Sequence, residues 1–116
     1  MQKTILIHNP HCSKSRNAKD ILLEAGIEFV TVDYVNEGLK EKLLKKLPSL
    51  LKLSYIEMIR KNEDIFKELN LDGKIVSDKK WITLLMKHPI LLERPIFIHN
   101  DKAIIGRPPE RVLEII

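Results

Sequence analysis

Apolar and polar positions follow two different periods in the first third of the chain. Residues 4–8 form a short apolar run rich in β-branched side chains, which predicts a buried strand. From about residue 13 to residue 25 the apolar positions recur at helical spacing, and Gly26 follows where a helix stop is expected. Residues 28–34 predict a second strand. This order indicates a βαβ unit, in which a helix joins two parallel strands.

The middle of the chain, about residues 39–71, has helical character. Pro48 lies within its first apolar stripe, and we expect it to interrupt the helix. The stripe consists of Leu39, Leu43, Leu44 and Leu47. Two short helical patterns follow, at about residues 54–60 and 64–69. Ser77 predicts the N-cap of a further helix, which Pro89 ends.

The last quarter of the chain returns to strands. A tight hairpin at Asn100 and Asp101 is predicted to join two short apolar runs, residues 95–99 and 102–105. Two prolines then open a last helix. The order is therefore β-α-β, a helical insertion at about residues 39–88, and β-β-α. We predict an α/β fold in which helices cover one mixed sheet, within a single domain that spans residues 1–116.

Length and composition exclude several classes of protein. The chain has 116 residues, of which 44% are hydrophobic and 31% charged, and this balance fits one folded core rather than a disordered or fibrous chain. No apolar run approaches the roughly 20 residues of a membrane helix. A net charge of +4 with only 5% aromatic residues favours anionic partners without indicating nucleic acid. We expect a cytoplasmic monomer without membrane or nucleic-acid partners.

The strongest candidate chemistry lies between the first strand and the first helix. Cys12 is the single cysteine, so an internal disulfide and a four-cysteine zinc site are excluded. The unpartnered amides and the dipole of a helix N-terminus stabilise a thiolate or an oxyanion and lower a cysteine pKa. Lys14 and Arg16 add positive charge, and His8 can donate to the sulfur or shuttle a proton. The alternative is a buried structural cysteine.

Three other kinds of site fit this turn less well. His8, His11 and Cys12 are zinc-ligand types, but no second ligand cluster follows them, so we expect no metal. Cysteine-dependent phosphatases use a longer spacing than that from Cys12 to Arg16. A dithiol redox site needs a second cysteine where this chain has Ser15. An oxidised Cys12 therefore needs an external thiol, which in the cytosol is usually glutathione.

The segment HNPHCSKSRN, residues 8–17, resembles the active-site segment of the glutaredoxin-linked arsenate reductases. The resemblance continues over essentially the whole chain, at MIRKN (58–62), HPILLERPIFI (88–98) and GRP (106–108). It implies a thioredoxin-like fold with a helical insertion. The sequence departs from the best-known members at Lys14, where a neutral residue is usual.

The resemblance also implies roles for individual residues. Cys12 becomes the nucleophile, and guanidinium forks that match a tetrahedral oxyanion bind arsenate. These forks belong to Arg60, Arg94 and Arg107. The proline at the position of Pro95 is commonly cis in such folds and contacts the active cysteine. Supporting positions are Asn9, Ser15 and Arg16. Glutathione is the expected co-substrate and glutaredoxin the expected partner, with no tightly bound cofactor.

Two other functions stay open. The chain could be a glutathione-linked thiol reductase of another substrate, whose arginines bind the carboxylates of glutathione. It could also be a regulatory binding module like Spx, a relative that contacts RNA polymerase, with the lysine-rich insertion as its surface. Spx typically carries the C-x-x-C motif that Ser15 interrupts here.

Overall fold

The computed structural model describes residues 4–116. They form two compact units, one made of the chain up to Glu37 together with Arg94–Ile116, the other of Gly38–Glu93. The second unit includes the predicted helical insertion at about residues 39–88. That residues 1–116 form a single domain stays a prediction. No helix within residues 4–116 is long and apolar enough to cross a membrane.

The first unit contains a four-stranded mixed sheet with the strand order β2-β1-β3-β4. Its strands are β1 (Thr4–His8), β2 (Val30–Asp33), β3 (Ile96–His99) and β4 (Lys102–Ile105). Helix α1 (Ser13–Glu24) joins the parallel strands β1 and β2, which confirms the predicted βαβ unit. Strand β3 pairs antiparallel with both β1 and β4. The predicted hairpin is also confirmed, with Asn100 in the left-handed region at φ 56°.

The core of this unit lies between the sheet and α1. Leu6, Phe97 and Ile104 are cross-strand neighbours on three adjacent strands and form the sheet side of the core. Ala18 and Leu22 of α1 pack against them, as does Val112. Val112 belongs to a 3-10 helix, Pro109–Ile115, where the sequence predicted an α-helix.

Strand β2 covers residues 30–33 of the predicted 28–34, and Asp33 ends it. Its carboxylate accepts hydrogen bonds from the amides of Val35 and Asn36, at 3.1 and 3.3 Å. Such local bonds to a carboxylate compete with the strand ladder and start a helical turn. The chain therefore turns at once into the short helix α2, Tyr34–Glu37.

The second unit is helical. Its elements are α3 (Glu41–Leu51), a 3-10 helix (Tyr55–Met58), α4 (Asp64–Glu68), α5 (Asp78–Lys87) and a 3-10 helix (Pro89–Leu91). Helices α3 and α5 pack against each other. The predicted cap of α5 is confirmed, because Ser77 Oγ accepts a hydrogen bond from the amide of Lys80 at 3.2 Å. The predicted helical pattern at 54–60 is a single 3-10 turn.

The prediction that Pro48 interrupts the helix is wrong. Helix α3 runs through Pro48 to Leu51. A proline has no N–H, so it leaves the carbonyl four residues earlier without its helical partner. That carbonyl belongs to Leu44, and the buried hydroxyl of Tyr55 donates to it at 2.7 Å. A residue outside the helix thus supplies the hydrogen bond that the proline removes.

Candidate functional site

The turn after β1 places Cys12 at the N-cap of α1. The amide of Cys12 donates to the carbonyl of Asn9 at 3.0 Å, and Asn9 Oδ1 accepts from the amide of His11 at 2.9 Å. The Arg16 guanidinium donates to the carbonyl of Pro10 at 2.9 Å and so links the first turn of α1 to the preceding loop. The predicted supporting residues Asn9 and Arg16 therefore hold the loop that carries the cysteine.

Two arginines from the far end of the chain lie beside the sulfur. Arg107 Nη2 is 3.8 Å from Cys12 Sγ, and the side chain of Arg94 hydrogen-bonds to the sulfur as well. Arg107 Nε also donates to the carbonyl of Arg94 at 2.9 Å. The structure thus brings together three of the residues that the sequence singled out. Two fixed positive charges next to a sulfur suit a thiolate and an incoming oxyanion.

The environment of Cys12 favours the thiolate. Burial, the largest single influence, raises the pKa of the thiol, because it penalises the charged form. The amide of Ser15, the Arg94 side chain and the amide of Lys14 hydrogen-bond to the thiolate, and the Arg94 charge attracts it. Together they outweigh burial, so the pKa of Cys12 lies below its ordinary value. This result agrees with the prediction made from the helix N-terminus.

His8 and Ser15 form a buried polar pair next to the cysteine. His8 Nδ1 lies 2.6 Å from Ser15 Oγ, and the amide of Asn9 donates to the same oxygen at 3.0 Å. Burial lowers the pKa of His8, as do the positive charges of Lys19 and Arg16, while Asp33 acts in the opposite direction. The neutral imidazole is therefore favoured, and one hydrogen bond joins Nδ1 to the serine hydroxyl. Its bond to the sulfur and its proton transfer stay predictions.

The chain around Pro95 is closely packed. The Arg94–Pro95 peptide bond is cis, as the resemblance implied, and so is the Arg107–Pro108 bond. The amide of Gly106 donates to the carbonyl of Pro95 at 2.8 Å. An atom placed at the Cβ position of Gly106 would lie 2.9 Å from Pro95 Cγ. A residue without a side chain is therefore needed here to let the two arginine-bearing segments approach each other.

Arg60 belongs to the second unit. Its Nε lies 2.9 Å from Glu63 Oε2 and its Nη1 lies 2.8 Å from Glu93 Oε1. Burial lowers the pKa of Arg60, but hydrogen bonds and charge attraction from these two carboxylates outweigh it and raise the pKa. The guanidinium is thus charged and already holds two anions. A further anion that binds Arg60 has to share the guanidinium with these carboxylates or replace one of them.

Sequence reasoning missed the partners of Arg60 and the link from Asn9 to Tyr34. The Glu63 carboxylate follows Arg60 by three residues, a spacing that the sequence shows, whereas Glu93 comes from another part of the chain. Asn9 Nδ2 donates to the buried Tyr34 hydroxyl at 3.4 Å. Among residues 4–116, no group of three or more histidine, cysteine, aspartate or glutamate side chains is placed to hold a metal ion.

Comparisons with known proteins identify the family of the chain. The model of the ArsC family matches residues 7–115. The chain is 43% identical over 118 aligned positions to the uncharacterized protein YfgD of Escherichia coli, covering 100% of this chain and 99% of that protein. It is 39% identical to an arsenate reductase of Haemophilus influenzae, with 97% of each chain covered.

A solved structure gives the same result for the fold. The arsenate reductase from Vibrio cholerae superimposes with a TM-score of 0.91 at 39% identity, covering 99% of this chain and 98% of that one. This likeness confirms the predicted thioredoxin-like fold.

Proposed function

Because this chain belongs to the ArsC family, we propose that it is an arsenate reductase with Cys12 as its nucleophile. The observation that carries the proposal is the position of the Cys12 sulfur, which lies at a helix N-terminus with the Arg94 and Arg107 side chains beside it. Relatives with 39% and 33% identity that are named arsenate reductases support it.

The first step forms a covalent bond between sulfur and arsenic. The thiolate of Cys12 attacks arsenic, and one arsenate hydroxyl takes up a proton and leaves as water. The guanidinium groups of Arg94 and Arg107 stabilise the negative charge on the remaining oxygens. Arg60 is the third arginine that the family resemblance assigns to the anion. No electron is transferred in this step, so arsenic stays pentavalent.

The second step reduces arsenic. The thiol of glutathione attacks the Cys12 sulfur and forms a disulfide, while the sulfur–arsenic bond breaks and its electron pair stays on arsenic. Arsenic becomes trivalent and leaves as arsenite, and two thiols have been oxidised to one mixed disulfide. Ser15 stands where a second cysteine would have resolved this disulfide. Glutaredoxin therefore reduces it by thiol–disulfide exchange.

A coupled assay tests the proposal. Protein, arsenate, glutathione, glutaredoxin and glutathione reductase are mixed, and the arsenate-dependent loss of NADPH is followed. We expect turnover for the native chain and none for Cys12→Ser, with the Cys12–glutathione disulfide visible by mass spectrometry when glutaredoxin is omitted. An active Cys12→Ser variant, or no arsenate-dependent loss from the native chain while the glutathione cycle works, would contradict the proposal.

The arginines are tested with a matched control. Arg107→Ala is expected to raise the activation free energy by about 2–4 kcal/mol, the typical loss when one oxyanion donor is removed, so kcat/KM for arsenate falls about 30- to 1,000-fold. Arg111→Ala removes the same charge from the same unit, at a half-exposed side chain that pairs with Glu114 at 3.5 Å. It is expected to leave kcat/KM within about twofold of the native value. Equal losses in both variants would show that total charge, and not position, governs arsenate binding.

A further inference from the structure

A cavity of about 540 Å³ opens in the second unit around α4 and the turn that follows it. Its lining includes Lys61, Lys67, Lys74 and the buried ring of Phe66. Small-molecule sites usually enclose about 300–1,000 Å³, whereas one water occupies about 30 Å³. The cavity therefore has room for an organic molecule and is much larger than a single inorganic ion.

Backbone hydrogen bonds hold the segments that carry these lysines. The amide of Asn70 donates to the carbonyl of Lys67 at 3.0 Å, where α4 ends. The amide of Lys74 donates to the carbonyl of Leu71 at 3.2 Å and closes the next turn. Asn70 has a left-handed backbone, with φ 54°. Two consecutive closed turns thus place Lys67 and Lys74, which are both exposed residues.

The charges of the lining are unbalanced. Three lysines face one carboxylate, that of Asp72, so the formal charges sum to +2. None of the ion pairs found within residues 4–116 involves Lys61, Lys67 or Lys74. Asp72 balances only one of the three lysine charges, so the ammonium groups repel one another, and an anion with more than one charge relieves this repulsion. Lysine binds phosphate as a flexible point charge, and its three donors can turn toward different phosphate oxygens.

We propose that this cavity binds a small organic molecule that carries two or more phosphate groups, such as a nucleoside diphosphate. The ammonium groups of Lys61, Lys67 and Lys74 contact the phosphates. The organic part contacts the small part of Phe66 that lines the cavity, and the Asn70 amide supplies hydrogen bonds to it. This site lies in the helical unit and uses neither Cys12 nor Arg94 and Arg107. Its ligand binding can therefore be tested separately from arsenate reduction.

The test is a calorimetric titration of the full chain with ADP and, separately, with inorganic phosphate. ADP is expected to bind saturably and more tightly than phosphate. The double variant Lys67→Gln/Lys74→Gln is expected to weaken ADP binding by about five- to thirtyfold, since two direct charge contacts are lost. The matched control Lys42→Gln/Lys46→Gln removes two exposed lysines of α3 that do not line the cavity. It is expected to change binding by less than about twofold.

Any of the following results would overturn the proposal. The first is no saturable ADP binding, and phosphate binding as tight as that of ADP counts equally. The second is equal weakening by the two double variants while both keep the native melting temperature. The third is tight binding of a polyglutamate peptide without binding of ADP, which would assign the cavity to an acidic protein segment.

Discussion

Gly106→Ala tests the close packing that brings Arg94 and Arg107 together. The added Cβ would lie 2.9 Å from Pro95 Cγ and 3.1 Å from Val112 Cγ1. Carbon atoms are most stable at about 3.5–4.0 Å from each other, so both contacts are repulsive. Pro95 is a rigid ring and Val112 is fully buried in the core, and neither can rotate away as a flexible side chain would.

The expected loss of stability is modest. Overpacking of this kind costs about 1–3 kcal/mol. Replacing glycine by alanine regains about 0.4–1 kcal/mol, because the unfolded chain loses conformational freedom. The net destabilisation is about 1–2 kcal/mol, which corresponds to a fall in melting temperature of roughly 5–10 °C for a domain of this size. Thermal and urea unfolding followed by circular dichroism measure both quantities.

The effect on the site is expected to be larger than the effect on stability. Relief of the contact moves Pro95, and with it Arg94, whose carbonyl also holds Arg107. A misplacement of about 1 Å can cost up to a hundredfold in rate. We therefore expect kcat/KM for arsenate to fall at least about tenfold at a temperature where the variant is fully folded.

Gly26→Ala is the matched control for this variant. Gly26 has φ +73° and no atom within 4 Å of an added Cβ, so alanine there strains only the backbone. That strain costs about 1–2 kcal/mol, and the same gain of about 0.4–1 kcal/mol leaves a net loss of about 1 kcal/mol, at the lower end of the loss at Gly106. Gly26→Ala should thus lose comparable stability and keep its activity. If Gly106→Ala melts at the native temperature and keeps full activity, the packing argument is refuted.

Three further predictions concern the hydrogen bonds and charges around the cysteine. In Arg94→Gln the alkylation of Cys12 by iodoacetamide should shift to higher pH, because a hydrogen bond and a positive charge that lower the thiol pKa are lost. Arg111→Gln should leave that pH profile unchanged. Ser15→Ala should reduce the free energy of unfolding in urea by about 1–3 kcal/mol, since a fully buried hydroxyl with two partners disappears. The native stability should fall as the pH drops below about 6.5, because the unfolded chain protonates His8 before the folded one does. His8→Gln should have a flatter pH dependence of stability over that range.

Local elements of this fold could be predicted from the sequence, because they depend on residues that are close along the chain. The apolar run before Asn9, the helical stripe after Cys12 and the hairpin at Asn100 each contain their own pattern. The low pKa of Cys12 could be predicted in the same way, because the cysteine is the N-cap residue of the helix whose N-terminus stabilises its thiolate. That Arg60, Arg94 and Arg107 act together was inferred from the family resemblance. Their spacing in the sequence does not indicate that they lie near one another.

Tertiary structure decided what depends on residues far apart in sequence. Arg107 and Cys12 are 95 positions apart and meet only because β3 and β4 return the chain to the end of β1. Pro48 stays inside α3 because Tyr55, beyond the helix, replaces the missing hydrogen bond. Arg60 is held by Glu93, 33 positions away. A local pattern cannot specify such partners, since the free energy of each contact depends on how the whole chain folds around it.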